Sequence, residues 1–319
     1  MSEELVTCAF TTFNASRTIE RAILSALNQT YNNIEIVVVD DFSSDKTVEI
    51  IKRISKEKKF PIKIIKLRKN KGVGNARNIC LENSNGVFVC FFDDDDYSHS
   101  SRITNQLITL KKYEHIKSLE GSLNISALCY SDRLIHYKSK KSIVCFAMIV
   151  KEIERYKNQF INSMLYADSF PRVGRSGSTA TCTLFARKNV LFKLSMFNKE
   201  LRRCEDSDLA IRALMNNIEL ISTEKILIDQ YYVHNSNKSN QYFYEVQLLN
   251  LHKNWLDNFG LYNFSKAFLK LKYSFLSYDF ISFSSQFFYL ILKYPIRTIS
   301  RLISSSKTII FSISHRLKY

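Results

Sequence analysis

At 319 residues the chain can hold one large domain or two smaller ones, and its 45% hydrophobic content is enough for a real core, which excludes a disordered protein. Seven glycines and three prolines exclude a linker or a fibrous repeat, and no repeat of about 20–50 residues marks a solenoid. The net charge of +16 calls for an acidic partner: nucleic acid, an anionic membrane surface or a phosphorylated substrate.

Strands and helices alternate over the first hundred residues. "LVTCAFTTF" is a short apolar, β-branched run and reads as a buried strand. "SRTIERAILSALNQT" follows as a helix, with Ser16 as N-cap and Ile19, Ile23, Leu24 and Leu27 on one face. "IEIVVVDDFSSD" is a second strand, nearly all apolar, as strands covered on both faces are. "DKTVEIIKRISKE" is a second helix, "PIKIIKLRKN" a third strand, "GVGNARNICLENS" a third helix and "GVFVCFF" a fourth strand. This order predicts an α/β fold with a mostly parallel central sheet, helices on both faces and ligands beyond the carboxyl ends of the strands. Residues 97–172 are harder to read. "ISALCYSDRLIHY" resembles another strand and turn, and "KEIERYKNQFINSMLYADSF" a helix able to shape an acceptor site.

Cys8, Cys80, Cys90, Cys129, Cys145, Cys182 and Cys204 are odd in number and show no CxxC spacing. Neither a disulfide framework nor a structural zinc site is expected, and a reducing cytosolic compartment is. "MSEELVTCAF" lacks a basic stretch followed by an apolar core, so no signal peptide is expected.

The predicted strands end on polar groups. Strand one ends in Thr11-Thr12-Phe13-Asn14, strand two in Asp40-Asp41 and strand four in Asp93 to Asp96. Six carboxylates at one sheet edge would repel one another, and a divalent cation with hard oxygen ligands, Mg²⁺ or Mn²⁺, neutralises such a group. For the tetrad alone, a solvated acidic turn is the competing reading. "KGVGNA" is not a dinucleotide fingerprint: Arg77 occupies the sixth position, and the motif follows the third strand rather than the first.

Taken together these motifs resemble glycosyltransferase family 2. "TTFNASRTIERAILSALNQTYNNIEIVVVDDFSSDKT", "KNKGVGNARN", "GVFVCFFDDDD" and "TCTLFARKNVLFKLSMFNKELRRCEDSDLAIR" follow that family's order over roughly residues 5–235. The resemblance implies a GT-A nucleotide-diphospho-sugar transferase fold and an inverting sugar transfer. It implies that Asp93 and Asp95, in a DxD pattern with Asp96 beside them, hold a cation and through it the donor diphosphate. Asp94 stands within this donor-binding group, turned toward protein or solvent. Asp41, and secondarily Asp40, match the base-recognition position, where a carboxylate accepts from uracil N3–H. Thr11 matches the strand-one contact to the nucleoside. Arg77 matches a position near the base or phosphate, with a helix-surface arginine as the alternative. Asp206 matches the base that takes the acceptor proton, and Glu205 is the second candidate, with a positioning role. Alternatively Glu205, Asp206 and Asp208 only cap a helix, with Leu209, Ile211 and Leu214 turned inward. His234 is placed to complete the metal site or touch the diphosphate, with a structural histidine as the alternative.

From Leu261 to Tyr319 the chain carries nine Lys or Arg, one acidic residue, Asp279, and fourteen aromatics. Apolar and cationic residues at helical spacing suit helices lying in an anionic membrane interface, with core helices as the alternative. A span over Tyr273–Leu292 is disfavoured by Asp279, Gln286 and five serines. The expected layout is a catalytic domain over 1–240 and a C-terminal helical, basic-aromatic extension over 241–319. The expected function is transfer of a sugar, with Mn²⁺ or Mg²⁺, from a nucleotide-sugar donor, a UDP-sugar, to a glycan or lipid-linked acceptor. The setting is lipopolysaccharide or capsule assembly on the inner face of the cytoplasmic membrane. A sugar nucleotidyltransferase is the second enzyme reading, but "TTFNASRT" lacks the glycines of its phosphate loop. A basic nucleic-acid-binding module is the non-enzyme reading; no nucleic-acid signature accompanies the basic residues.

Overall fold

The computed structural model describes residues 4–122, 125–137, 141–231 and 238–304. Its first half runs β1 (Val6–Thr12), α1 (Ile19–Leu27), β2 (Ile34–Asp40), α2 (Thr47–Glu57), β3 (Ile62–Lys66), α3 (Val73–Glu82), β4 (Phe88–Asp93), β5 (Tyr97–Ser98), α4 (Arg102–Leu119), β6 (Ala127–His136) and β7 (Ser142–Cys145). It continues through α5 (Ile153–Met164), β8 (Phe185–Arg187), α6 (Lys188–Lys193), α7 (Glu205–Met215) and β9 (Glu219–Tyr231) to α8 (Lys238–Leu251), α9 (Lys253–Asp257), α10 (Tyr262–Leu276) and α11 (Phe280–Lys293).

The sheet order is β3-β2-β1-β4-β8-β6-β9-β5, with β7 on β6. β1 to β4 pair in parallel, as their long apolar runs and intervening helices require. Beyond β4 the sheet becomes mixed. β8 pairs antiparallel with β4 and β6, and β5 antiparallel with β9, while β6 and β9 are parallel. Alternate residues of the parallel strands serve two cores. Val6, Cys8, Phe10, Ile36, Val38, Phe88, Cys90 and Phe92 pack with Ile19 and Ile23 of α1, Ile51 and Ile54 of α2, and Ile103 and Leu110 of α4. The opposite face meets α3, whose Cys80 thiol donates to the Phe10 carbonyl, and Phe197, whose ring lies edge-on to Phe91 at 5.5 Å. Helices thus cover both faces.

The start of α1 differs from expectation. Thr18, not Ser16, is its N-cap, and its side chain makes no cap bond. The Ser16 amide instead donates to Asp45 Oδ2 at 3.0 Å. Asp45 also accepts from the Thr47 amide, so it organises the loop before α2 and leaves Ser16 outside the helix.

The described chain divides into two compact units: Met1–Ile153 with Gly174–His234, and Glu154–Val173 with Asn235–Tyr319. The first contains the sheet. The second takes in residues 154–173, within the 1–240 stretch expected as the catalytic domain. Its own bonds explain this grouping. Trp255 Nε1 donates to Asn162 Oδ1 at 3.0 Å, and Arg297 and Arg301 donate to the carbonyls of Ala167 and Asp168. Within it α10 and α11 pack through Phe264, Phe268, Leu271 and Leu290. Among the described residues no helix is long and apolar enough to cross a membrane.

Candidate active site

Strand register assembles the site. Thr12 is paired with Asp40 across β1 and β2, and Thr11 with Asp93 across β1 and β4, so Thr11, Asp40 and Asp93 stand side by side at the carboxyl edge of the sheet. Asp41 lies one residue beyond β2. Its Oδ1 accepts from the Lys71 amide at 2.7 Å and its Oδ2 from the Gly72 amide at 2.8 Å. Gly72 has φ 89°, in the left-handed region that glycine tolerates, and this turn lets both amides face one carboxylate. Asp41 therefore fixes the entry to α3. Asp40 is fully buried; its Oδ2 accepts from the Ser43 amide and its Oδ1 has no donor.

Arg77 projects from α3 and is buried rather than a surface arginine. It donates to Glu205 Oε1 at 2.5 Å and to Asp93 Oδ1 at 3.4 Å, with the Phe197 ring beneath its guanidinium. Glu205 opens α7, and Asp206 follows it in the same first turn, where the helix dipole favours carboxylates. Cys204, at φ 64°, makes the turn into that helix. The Asp206 Oδ1 accepts from the Ser207 amide at 2.7 Å. Burial raises the pKa of both Glu205 and Asp206, against the lowering by Arg77. Asp208 is fully buried and paired with Arg212 at 2.8 Å, so it serves the helix.

The acidic tetrad forms the loop between β4 and β5. Asp94 turns back to β1, where its Oδ2 accepts from the Phe13 amide at 3.1 Å. Arg21 donates to the Asp95 carbonyl and stacks on the Tyr231 ring at 3.9 Å. Asp96 is buried, and neither of its carboxylate oxygens meets a donor. One carboxylate oxygen each of Asp93 and Asp96 and the Cys182 sulfur lie within 4.8 Å of one another. Burial raises Asp94 to about 7, Asp95 to about 6 and Asp96 to about 8, with neighbouring aspartates adding to each rise.

An orphaned buried carboxylate facing a second one is a fit for a hard divalent cation. The Cys182 thiol is pushed well above its usual range by burial, so it stays protonated and is a poor ligand beside them. Among the described residues the group that could hold a metal ion brings together Asp93, Asp96 and Cys182, and the Asp95 carboxylate is not in it. His234 lies outside the described residues.

Four residues of this site carried no functional reading in the sequence. Arg102, fully buried at the start of α4, donates to the Phe91 carbonyl, Ser98 Oγ and Gln106 Oε1, and so clamps both ends of the acidic loop. Its signal was available: Arg102 and Gln106 are polar residues at i and i+4 on the face that carries Ile103, Leu107 and Leu110. Against the lowering by burial, the nearby Asp96 and Asp206 carboxylates raise the pKa of Arg133 of β6, which also donates to the Cys182 sulfur. Arg21 and Cys182 reach the loop from 74 and more than 80 residues away in sequence, and local pattern carries no trace of that.

The raised carboxylates set a pH dependence. Each holds its proton more tightly folded than unfolded, so stability is fully present below about pH 4 and is lost as pH rises through about 6 to 8. A divalent cation held between Asp93 and Asp96 would replace those protons. Saturating Mn²⁺ is therefore expected to raise Tm by about 3 °C or more at pH 8 and by much less at pH 5, the scale of about 1 kcal/mol in a domain of this size. Equal shifts at the two pH values in a thermal melt would contradict this.

Residues 7–117 match the family described as Glycosyl transferase family 2. The chain is 40% identical over 106 residues to the Escherichia coli UDP-Glc:alpha-D-GlcNAc-diphosphoundecaprenol beta-1,3-glucosyltransferase WfaP, covering 33% of this chain and 40% of that one. Against a second Escherichia coli enzyme of the same description, WfgD, it is 34% identical over 125 residues, 39% of this chain and 48% of that one. It therefore spans less than half the length of either relative. Among solved structures, residues 1–349 of S. aureus TarS in complex with UDP-GlcNAc superpose with a TM-score of 0.58 at 19% identity, covering 86% of this chain and 73% of that one. Residues 7–117 thus match the glycosyl transferase family 2 pattern, and the chain shares the GT-A-like fold over most of its length.

Proposed function

We propose that the protein is an inverting glycosyltransferase that moves a sugar from a nucleotide-sugar donor, a UDP-sugar, to a glycan or lipid-linked glycan acceptor during surface polysaccharide assembly. The observation that carries this reading is the single edge on which Thr11, Asp40 and Asp93 align and to which Arg77 ties Glu205. Names of relatives support the substrate classes: WfaP and WfgD are described as acting on a diphosphoundecaprenol-linked sugar with UDP-Glc, and TarS was crystallised with UDP and with UDP-GlcNAc. An acceptor of that kind places the work at the inner face of the cytoplasmic membrane.

Each part then has a task. Thr11 and the loop held by Asp41 border the nucleoside. Asp93 and Asp96 would hold Mn²⁺ or Mg²⁺, with Asp95 adjacent, and the cation supplies charge neutralisation for the leaving diphosphate. Asp206 takes the proton from the acceptor hydroxyl as that oxygen attacks the anomeric carbon; burial raises its pKa and makes it a stronger base than an ordinary aspartate. Glu205, locked to Arg77, sets the position of that first turn of α7.

Release of UDP from a panel of UDP-sugars, with and without a lipid-linked sugar diphosphate, tests the activity. The cation assignment has its own check. Asp96→Asn is expected to weaken Mn²⁺-dependent UDP binding in calorimetry by about tenfold or more, about 1.4 kcal/mol. Asp95→Asn should weaken it less, and the reverse order would move the cation to Asp95.

A further inference from the structure

Helix α11 is apolar on two sides, and only one is covered. Phe283, Phe287 and Leu290 pack with Phe264, Phe268 and Leu271 of the same unit. On the other side Ile281, Phe288 and Leu292, spaced by seven and four, are exposed by 87, 63 and 82%. The helical stretch 295–304 that follows repeats the feature, with Ile296, Ile299 and Ile303 exposed by 85, 51 and 68%. The three isoleucines line a groove of about 610 Å³ together with Phe170 and Arg172. Bare rows at helical spacing on consecutive helices are not the scattered apolar residues of an ordinary surface, and they call for a covering partner.

Charge selects the partner. Residues 280–304 contain Lys293, Arg297 and Arg301 and no acidic residue. Arg297 and Arg301 turn inward to the carbonyls of Ala167 and Asp168, while Lys293 stays exposed beside the Tyr289 and Tyr294 rings. Two copies meeting face to face could pair Asp279, the α11 N-cap, with only one of the exposed cations Lys293 and Arg172, leaving net positive charge on both. An anionic bilayer presents phosphates to the cations, hydrocarbon to the isoleucines and a headgroup zone to the tyrosines. Because α11 packs along one side and is too short and too polar to span, it must lie along the surface.

We propose that α11 and the stretch 295–304 are the membrane-docking face of this protein, with Ile281, Leu292 and Ile296 seated among acyl chains and Lys293 and Arg172 at lipid phosphates. This docking builds on the lipid-linked acceptor proposed above, yet it can fail independently, because vesicle binding and UDP binding are separate readouts. Ile281, Leu292 and Ile296 are more than four-fifths exposed, so serine at all three should leave Tm unchanged.

The test is co-sedimentation of the full chain with phosphatidylcholine vesicles and with vesicles containing phosphatidylglycerol, at low and high salt. The parent should sediment with the anionic vesicles at low salt and retain a salt-resistant fraction. The I281S/L292S/I296S protein should lose about tenfold or more in partitioning, with UDP affinity intact. Lys293→Glu should weaken binding at low salt and leave the salt-resistant fraction. A parent that ignores anionic vesicles, or a triple variant that sediments like the parent, overturns the proposal. So does a parent dimer in analytical ultracentrifugation that the triple variant converts to monomer, since a second copy would then cover the face.

Discussion

Replacing Asp206 with asparagine is expected to lower turnover by about 10²-fold or more while UDP affinity stays within about twofold of the parent. The substitution keeps size and the acceptor oxygen that meets the Ser207 amide, so the first turn of α7 should keep its shape. What disappears is the capacity to take a proton. Asparagine cannot do so at any pH, whereas burial raises the Asp206 pKa and makes its carboxylate a stronger base than an ordinary aspartate's. Glu205 is poorly placed to substitute, because its Oε1 is held by Arg77. The measurement is a UDP-release assay with acceptor, alongside calorimetry with UDP and Mn²⁺. A loss of UDP affinity as large as the loss of turnover would assign Asp206 to the donor and make Glu205 the base.

What the sequence made legible follows from the range over which each signal acts. The four parallel strands and three helices of the first hundred residues show in local patterning, because each is a run of one period bounded by polar residues. The convergence of Thr11, Asp40 and Asp93 was also readable, since parallel strands of similar length bring their carboxyl ends to one edge. β8, β7 and β5 are three, four and two residues long, too short to leave a period, and it is their antiparallel pairing that makes the sheet mixed. Residues 154–173 show a helix but not the unit to which it belongs, for Asn162 meets Trp255 across 93 residues. In the same way Asp96 reads as one more acid in a row. Only its burial, both oxygens without donors beside Asp93 and Cys182, separates it from Asp94 and Asp95.

The Arg77–Glu205 pair gives the largest stability effect. Arg77→Met is expected to cost about 3–5 kcal/mol, because it leaves a buried carboxylate without its partner. Both side chains are largely withdrawn from water, at 7 and 10% exposure, so screening does little to soften the loss. Methionine fills part of the volume over the Phe197 ring but offers Glu205 and Asp93 no donor. Without the arginine, the lowering that opposes burial is gone, and the Glu205 pKa rises further above its ordinary value. The variant can then fold with Glu205 protonated at low pH and must bury the charge at high pH. Its deficit should accordingly grow as pH rises from about 5 to 8. Adding Glu205→Gln removes the stranded charge, so the double variant should recover part of the stability and lose the pH dependence. Urea melts of the single and double variants at the two pH values provide the measurement. A single-variant deficit that is the same at both pH values, or one that Glu205→Gln deepens, would mean that Arg77 stabilises this junction by packing and not by neutralising Glu205.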